Sequence, residues 1–261
     1  MRAVILSAGR GTRLRPLTDD RPKCLLPVRG DDPVLEVQLQ SLAACGIDEA
    51  IVLTGFRADQ VEAHVSRRRA DGVHVTTVFN PFYAVSDNLA TCWLARNFME
   101  DDFLVLNGDT LFEVAVLQRL LASSPSPLTL VVNEKDEYDD DDMKVSLGPE
   151  RRLVAVGKTL DARIVDGESI GLMRFRDEGA RHFRRVIERA IRGEDAISRW
   201  YVSVVNEMAQ ETPVSTLAIT GLWWGELDSP EDYASLRAHY AGDGEDDEKR
   251  EARAHRALFD G

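Results

Sequence analysis

Three stretches of this chain carry residue types suited to phosphate chemistry. The first is Ser7-Ala8-Gly9-Arg10-Gly11-Thr12-Arg13-Leu14, followed by Arg21-Pro22-Lys23. Two glycines directly after an apolar run let the backbone curl closely round a ligand and turn N–H groups towards phosphate oxygens. Arg10, Arg13, Arg15, Arg21 and Lys23 place five cations within 14 residues, a density that suits a triphosphate. The spacing is not that of a Walker A loop, which has four residues between its Gly and Gly-Lys-Ser/Thr. Nor is it a good dinucleotide fingerprint, because Arg13 stands near the place of a third glycine. The second stretch is Asn107-Gly108-Asp109-Thr110. A carboxylate at the end of a buried strand is well placed to hold Mg²⁺, a hard cation that prefers oxygen ligands. The third is Trp224-Gly225-Glu226-Leu227-Asp228-Ser229-Pro230-Glu231-Asp232, where Asp228 has the position and type of a helix N-cap.

These stretches need a scaffold, and the hydrophobic pattern supplies one. Val4 to Ser7, Ala50 to Thr54, Phe103 to Leu106 and Leu128 to Val132 read as strands, Val4 to Ser7 and Phe103 to Leu106 with the short apolar runs of buried strands, and Val73 to Phe79 reads as a strand by its β-branched residues. Between them Val34 to Ala44, Asp59 to Arg69, Asp87 to Phe98 and Val114 to Leu121 have helical character. Strand–helix alternation with short loops predicts a Rossmann-like, doubly wound α/β sheet. In such sheets ligands bind at the carboxyl ends of the strands, where Ser7 to Thr12 and Asn107 to Thr110 both fall. Further on, Met143 to Leu147 and Leu153 to Val156 read as a hairpin, Ile170 to Phe175, Val214 to Thr220 and Trp223 to Leu227 as strands, and Asp177 to Arg192 as an amphipathic helix. The pattern predicts one domain over 1–241, with an NTP-binding half (1–133), a small acceptor-binding lobe (134–241) and a charged tail at 242–261.

Composition narrows the function classes. With 261 residues, 44% hydrophobic and 30% charged, the chain is an ordinary globular protein. No apolar run of about 18 residues spans a membrane, and the N-terminus reads as a first strand rather than a signal peptide. A net charge of −13 argues against a nucleic-acid partner. Three widely spaced cysteines, Cys24, Cys45 and Cys92, argue against a disulfide framework and a zinc site and fit a reducing cytoplasm. The five histidines, His64, His74, His182, His239 and His255, show no ligand spacing.

Gly-x-Gly-Thr-Arg-Leu, about ten residues, then Pro-Lys resembles the signature of the nucleotidyltransferases that join a nucleoside triphosphate to a sugar phosphate or alcohol phosphate. The resemblance covers roughly residues 1 to 240. It implies the nucleotide-diphospho-sugar transferase fold, with Ala8, Gly9, Gly11 and Thr12 round the triphosphate and Arg13 and Lys23 as catalytic cations. It implies a Mg²⁺ cofactor on Asp109 and Asp228, with Glu226 a weaker candidate. Lys158 corresponds to a lysine that meets the acceptor phosphate. Gly171 matches a glycine lining the acceptor site, whose missing side chain allows close approach. Where sugar-nucleotide enzymes usually carry Gln-x-x…Gly-Thr/Leu-Ala, this chain has Asn80-Pro81…Asn88-Leu89. That departure, and Met143-Lys144-Val145, resemble the branch that uses CTP with phosphocholine, inositol phosphate or phosphonates.

The expected reaction is attack of an acceptor phosphate or phosphonate oxygen on the α-phosphorus of the NTP, with release of pyrophosphate. CTP is the expected donor and a small non-sugar phosphate or phosphonate the acceptor. The acidic run Asp139 to Asp142 is either a solvated loop or a source of a carboxylate (Asp141 or Asp142) for a cationic acceptor headgroup. Trp200, Tyr201, Trp223 and Trp224 offer aromatic faces for the same group or pack in the core. A sugar-1-phosphate guanylyl-, uridylyl- or thymidylyltransferase is the runner-up, and a catalytically silent nucleotide sensor a third reading. The sequence leaves the oligomeric state open, a dimer included.

Overall fold

In the computed structural model, residues 1–68 and 72–242 are described. The predicted tail beyond 242, and the predicted helix end at Arg69, lie outside the described residues. The first half runs β1 (Arg2–Ser7), β2 (Pro27–Arg29), β3 (Asp32–Pro33), α1 (Val34–Ala44), β4 (Glu49–Thr54), α2 (Ala58–Arg67), β5 (His74–Phe79), α3 (Asn88–Leu94), β6 (Phe103–Asn107), β7 (Thr110–Phe112) and α4 (Val114–Ala122). It continues with β8 (Leu128–Asn133), β9 (Lys144–Leu147), β10 (Leu153–Val156), β11 (Gly167–Phe175), α5 (Glu178–Ala190), α6 (Val202–Glu211), β12 (Ser215–Ala218) and β13 (Trp224–Glu226), then a helix over 230–242.

The main sheet has the order β10-β9-β11-β6-β1-β4-β5, with β8 paired to β11 and β12. Strands β6, β1, β4 and β5 are parallel, and β11 runs antiparallel against β6. This is the mixed, doubly wound α/β architecture that the alternation predicted. Successive side chains point to opposite faces of a strand, and both faces are buried here. Val4, Ile51, Leu53, Phe103 and Val105 join one core with α3, α5 and α6. Ala3, Ile5, Val52, Leu104 and Leu106 join the other with α1 and α4. Among the described residues no helix is long and apolar enough to cross a membrane.

Three differences from the sequence reading have physical reasons. The predicted helix Asp87 to Phe98 ends as α3 at Leu94 and continues as a 3-10 turn over Arg96–Phe98. Trp223 to Leu227 shortens to β13 and leaves the main sheet to pair with β7, so Asp109 and Asp228 flank one two-stranded ribbon. Helix α6 was not anticipated, because its β-branched run (Val202, Val204, Val205) speaks for a strand locally while tertiary packing against α5 and β10 decides.

Candidate active site

The signature loop leaves β1 at Ser7 and is fixed by its own small residues. Gly11 has φ +60° and backs onto Lys23, whose Cβ lies 3.2 Å from where a Gly11 side chain would begin. Thr18 donates to the Gly11 carbonyl at 2.7 Å. Leu14 is fully buried with Leu26, Val28 and Leu227 in a third core. This anchor holds two 3-10 turns, Thr12–Leu14 and Lys23–Leu25, which present Arg13 and Lys23 to the same place.

There the Lys23 ammonium donates to Asp109 Oδ2 at 2.6 Å and to Asp228 Oδ1 at 2.8 Å. Arg13 reaches Asp228 Oδ2 at 3.1 Å. Burial lowers the Lys23 pKa, but the charges of Asp109 and Asp228 outweigh it and hold it above the ordinary lysine value. Burial likewise raises the Asp228 carboxyl, but Lys23 and Arg13 keep it below its usual range. Glu226 lies alongside them, with no ion pair of its own among the described residues. Burial first, then the charges of Asp109 and Asp228, push its carboxyl well up. The N-cap alternative for Asp228 falls to its neighbours. Ser229 Oγ accepts from Asp232 N at 3.1 Å, and Asp232 Oδ2 accepts from Ser229 N at 2.8 Å, a capping box that leaves the Asp228 carboxylate to the site.

Two cavities meet at this ion cluster. One, about 230 Å³, runs under Ala8 and Gly9 past Tyr83, Asn88 and Thr91 to Lys23 and Asp109. The other, about 280 Å³, runs from Lys23, Asp109 and Asp228 past Gly171, Lys158, Asp141 and Trp200. Lys158 pairs with Asp141 at 3.2 Å and stands 5.3 Å from the Trp200 ring centre. Asp141 also pairs with Arg13 at 3.2 Å, and the charged residues common to both cavities are Lys23 and Asp109. Asn88 lines both; its Oδ1 accepts from Tyr201 N at 2.8 Å.

The structure moves several of the predicted residues. Asn80 is fully buried, its amide spent on Thr91 Oγ1 at 2.9 Å and its Oδ1 on Phe82 N at 2.8 Å. It shapes the 80–87 loop and lines neither cavity. Leu89 is fully buried in the core beneath the first cavity. Asp142 turns away to Lys135 at 2.8 Å and Asp139 N at 2.7 Å, so Asp141 is the carboxylate in the second cavity. Gly11 and Thr12 support the loop from outside the cavities. Gly171 lines the second cavity at φ +74°, but the reason is internal: a Cβ there would meet Asn107 Cγ at 2.6 Å. Of the five cations only Arg13 and Lys23 reach the carboxylates. Arg15 pairs with Asp19 at 3.4 Å, and Arg21 lines a separate groove beside α2. Trp224 packs in the core and Trp223 stacks on His239. Sequence reasoning passed over Tyr83 and Asn107. Asn107 had a signal, since it precedes the Gly-Asp turn at a strand end, and Tyr83 stands between Asn80 and Asn88, in the stretch already singled out.

A divalent ion can be tested against these residues. Asp109 Oδ1 is buried with no hydrogen-bond partner, an acceptor left unsatisfied on the carboxylate that Lys23 holds through Oδ2. Among the described residues no three His, Cys, Asp or Glu side chains converge on one metal position. Two carboxylates fit an ion that takes its remaining ligands from water and substrate phosphates, as Mg²⁺ does.

The nucleotidyl transferase family model matches residues 2–132. Over 123 residues the chain is 39% identical to a CMP-5'-(3-aminopropyl)phosphonate synthase of Streptomyces rubellomurinus, covering 47% of this chain and 19% of that protein. It is 26% identical to a choline-phosphate cytidylyltransferase of Streptococcus pneumoniae, covering 90% and 96% of the two chains. The solved inositol-1-phosphate CTP transferase of T. maritima superposes with a TM-score of 0.75 at 22% identity, over 92% and 95% of the chains. The matched half holds the glycine loop, Arg13, Lys23 and Asp109, and on that match the chain belongs to the nucleotidyl transferase family.

Proposed function

We propose that the chain transfers a nucleotidyl group from an NTP, with CTP the favoured donor, to a small alcohol phosphate or phosphonate, releasing pyrophosphate. The observation that carries this reading is the Lys23 bridge between Asp109 and Asp228, set where two cavities meet. The first cavity suits a nucleotide, with its triphosphate under Ala8 and Gly9. The second suits a phosphorylated acceptor, with Lys158 as its cation.

An acceptor oxygen forms the new bond to the α-phosphorus while the bond to the β-phosphate oxygen breaks in line. The nucleophile is already an anion, so no general base is needed, and catalysis is alignment and charge neutralisation. Lys23 and Arg13 neutralise triphosphate charge. Lys158 orients the acceptor anion, and Trp200 closes the space behind it. Asp109 and Asp228 would hold Mg²⁺, which when bound supplies positive charge to the α-phosphate. The choice of CTP rests on relatives named for CTP and CMP chemistry and on Asn88 at the cavity wall. Three free cysteines suit the cytoplasm, where such substrates are met.

Pyrophosphate release with Mg²⁺ tests the reading. CTP, UTP, GTP, dTTP and ATP are crossed against phosphocholine, inositol-1-phosphate, 2-aminoethylphosphonate, glucose-1-phosphate and mannose-1-phosphate. Turnover confined to CTP with a non-sugar acceptor is the expected result. Turnover with a sugar-1-phosphate would keep the mechanism and overturn the acceptor class.

A further inference from the structure

Asp109 sits in a turn that is held from outside the active site. Gln38, on α1, is 1% exposed and lines neither cavity. Its Nε2 donates to the carbonyls of Asn107 and Thr110, both at 2.8 Å. These two carbonyls bracket Gly108 and Asp109, so one side chain clamps both ends of the turn. An amide nitrogen carries two hydrogens, and both are used. The Oε1 of the same amide is buried without a partner. An orphaned buried acceptor is destabilising, so an apolar side chain of equal size would suit packing better. What the amide adds is the clamp.

The rest of the turn is restrained by its neighbours in the sheet. Gly108 N donates to Leu6 O at 3.0 Å, Leu227 N to Asp109 O at 3.1 Å, and Thr110 Oγ1 to Ile170 O at 3.0 Å. Gly108 has no room for a Cβ, which would run into Ser7 and the Leu6 carbonyl. Helix α1 also packs against the 3-10 turn that carries Lys23. One helix therefore braces both members of the 2.6 Å Lys23–Asp109 pair.

We infer that Gln38 is a positioning residue: its amide sets the Asp109 carboxylate relative to Lys23 and thereby the place of a divalent ion. This rests on the nucleotidyl-transfer reading above. A displacement of about 1 Å in such an array costs up to about 10²-fold in rate.

The test uses Gln38→Met, which keeps the volume and removes both hydrogen bonds, and Gln38→Glu, which keeps the shape. Buried against carbonyl oxygens, the introduced carboxyl is driven to its neutral form and then donates one of the two bonds. Two readouts are taken on the full chain: kcat against acceptor KM, and Mn²⁺ binding by electron paramagnetic resonance with a non-hydrolysable NTP analogue. Gln38→Met should lower kcat by about 10- to 10²-fold with acceptor KM little changed, and weaken Mn²⁺ binding. Gln38→Glu should fall between Gln38→Met and wild type, its deficit widening as pH rises and the carboxyl loses its proton. A role in packing alone gives the reverse order, with Gln38→Met the better variant, and that order overturns the inference. So does wild-type kcat and Mn²⁺ binding in Gln38→Met. If Gln38→Met does not fold, the pH profile of Gln38→Glu decides, and a profile parallel to wild type overturns the inference. If no NTP and acceptor pair turns over, the functional reading fails separately. The Mn²⁺ series then supports the clamp if binding weakens in the stated order, and overturns it if all three proteins bind alike.

Discussion

Replacing Lys23 with methionine removes one charge and two hydrogen bonds and keeps most of the side-chain volume. In the intact cluster Arg13 and Lys23 balance Asp109 and Asp228; the variant leaves one uncompensated negative charge facing an anionic substrate. Loss of one preorganised electrostatic donor costs about 10²–10³ in kcat, which is about 2.7–4 kcal/mol at the transition state. The cost to the fold is smaller. The side chains of Lys23, Asp109 and Asp228 are 17%, 21% and 32% exposed, so water screens the orphaned carboxylates. A broken pair costs about 3–5 kcal/mol when fully buried and about 0–1 at the surface, which puts this one at about 1–2 kcal/mol. The Lys23 pKa is raised in the folded state, so its stabilisation is fully present below the unfolded value of about 10.4 and is lost only as pH climbs past it. The stability deficit of the variant should therefore be flat across roughly pH 6–9. Steady-state pyrophosphate release, with circular dichroism melts at three pH values, measures both. Turnover within about fivefold of wild type, against the expected 10²–10³, would sink the catalytic assignment. A normal kcat with a large loss of stability would recast Lys23 as a structural pin.

Three further outcomes are expected. Arg174 is buried, with its guanidinium on the carbonyls of Leu120, Leu121, Ser123 and Ser124 at the end of α4; Arg174→Met should lose about 2–4 kcal/mol in a urea melt while kcat is unchanged, and a loss under about 1 kcal/mol would contradict the capping role. Glu226 is held well above its ordinary pKa by burial and by Asp109 and Asp228; the folded state keeps that proton longer, so wild type gives up stability as pH rises from about 4.3. In metal-free buffer the melting temperature of Glu226→Gln should gain on wild type as pH climbs through that window, and a constant difference would refute it. Burial pushes the Cys24 thiol up to about 12; against an ordinary thiol near 8.5, its thiolate fraction at pH 8 drops by about 10³, so iodoacetamide should label it only after unfolding, and rapid native labelling would count against the buried pocket floor.

How much of this was legible in the sequence depended on how local each signal was. The strands β1, β4 and β6 could be read because both of their faces are apolar, and the Gly-x-Gly-Thr-Arg-Leu loop because backbone freedom, an anchor and a cation fall within six residues. Asp109 and Asp228 could be named from their motifs. That they share Lys23 could not, because the pair is closed by β7 and β13, which are 3 residues each and carry little pattern. The same limit explains the misreadings. Asn80 and Asn88 look alike in sequence, yet Asn80 follows β5 and is buried on Thr91 and Phe82, while Asn88 opens α3 at the cavity. Asp141 and Asp142 are adjacent in a run of four aspartates, and only the fold of the loop, with Asp142 bound to Lys135, sends Asp141 to the second cavity. Gln38 carried no signal at all, since a glutamine on a helix reads as surface until its partners 69 and 72 residues away are known.

On the proposed reading, the charges of the site also explain how a protein of net charge −13 would take two anionic substrates. Lys158, Asp141, Arg13, Asp228, Lys23 and Asp109 form an alternating chain across both cavities, so every cation is already neutralised before a ligand arrives. Substrate binding is then an exchange of one anionic partner for another, and its cost depends on which link is broken. Arg13 and Asp141 have side chains 54% and 73% exposed, where an ion pair contributes about 0–1 kcal/mol. Those links yield cheaply to a phosphate. The Lys23 links are shorter and more enclosed, and the turn beneath them is clamped from α1. On that reading the site has a rim that would give way to either substrate and a centre that would stay in place while both are bound, which is the division of labour that in-line transfer between two anions requires.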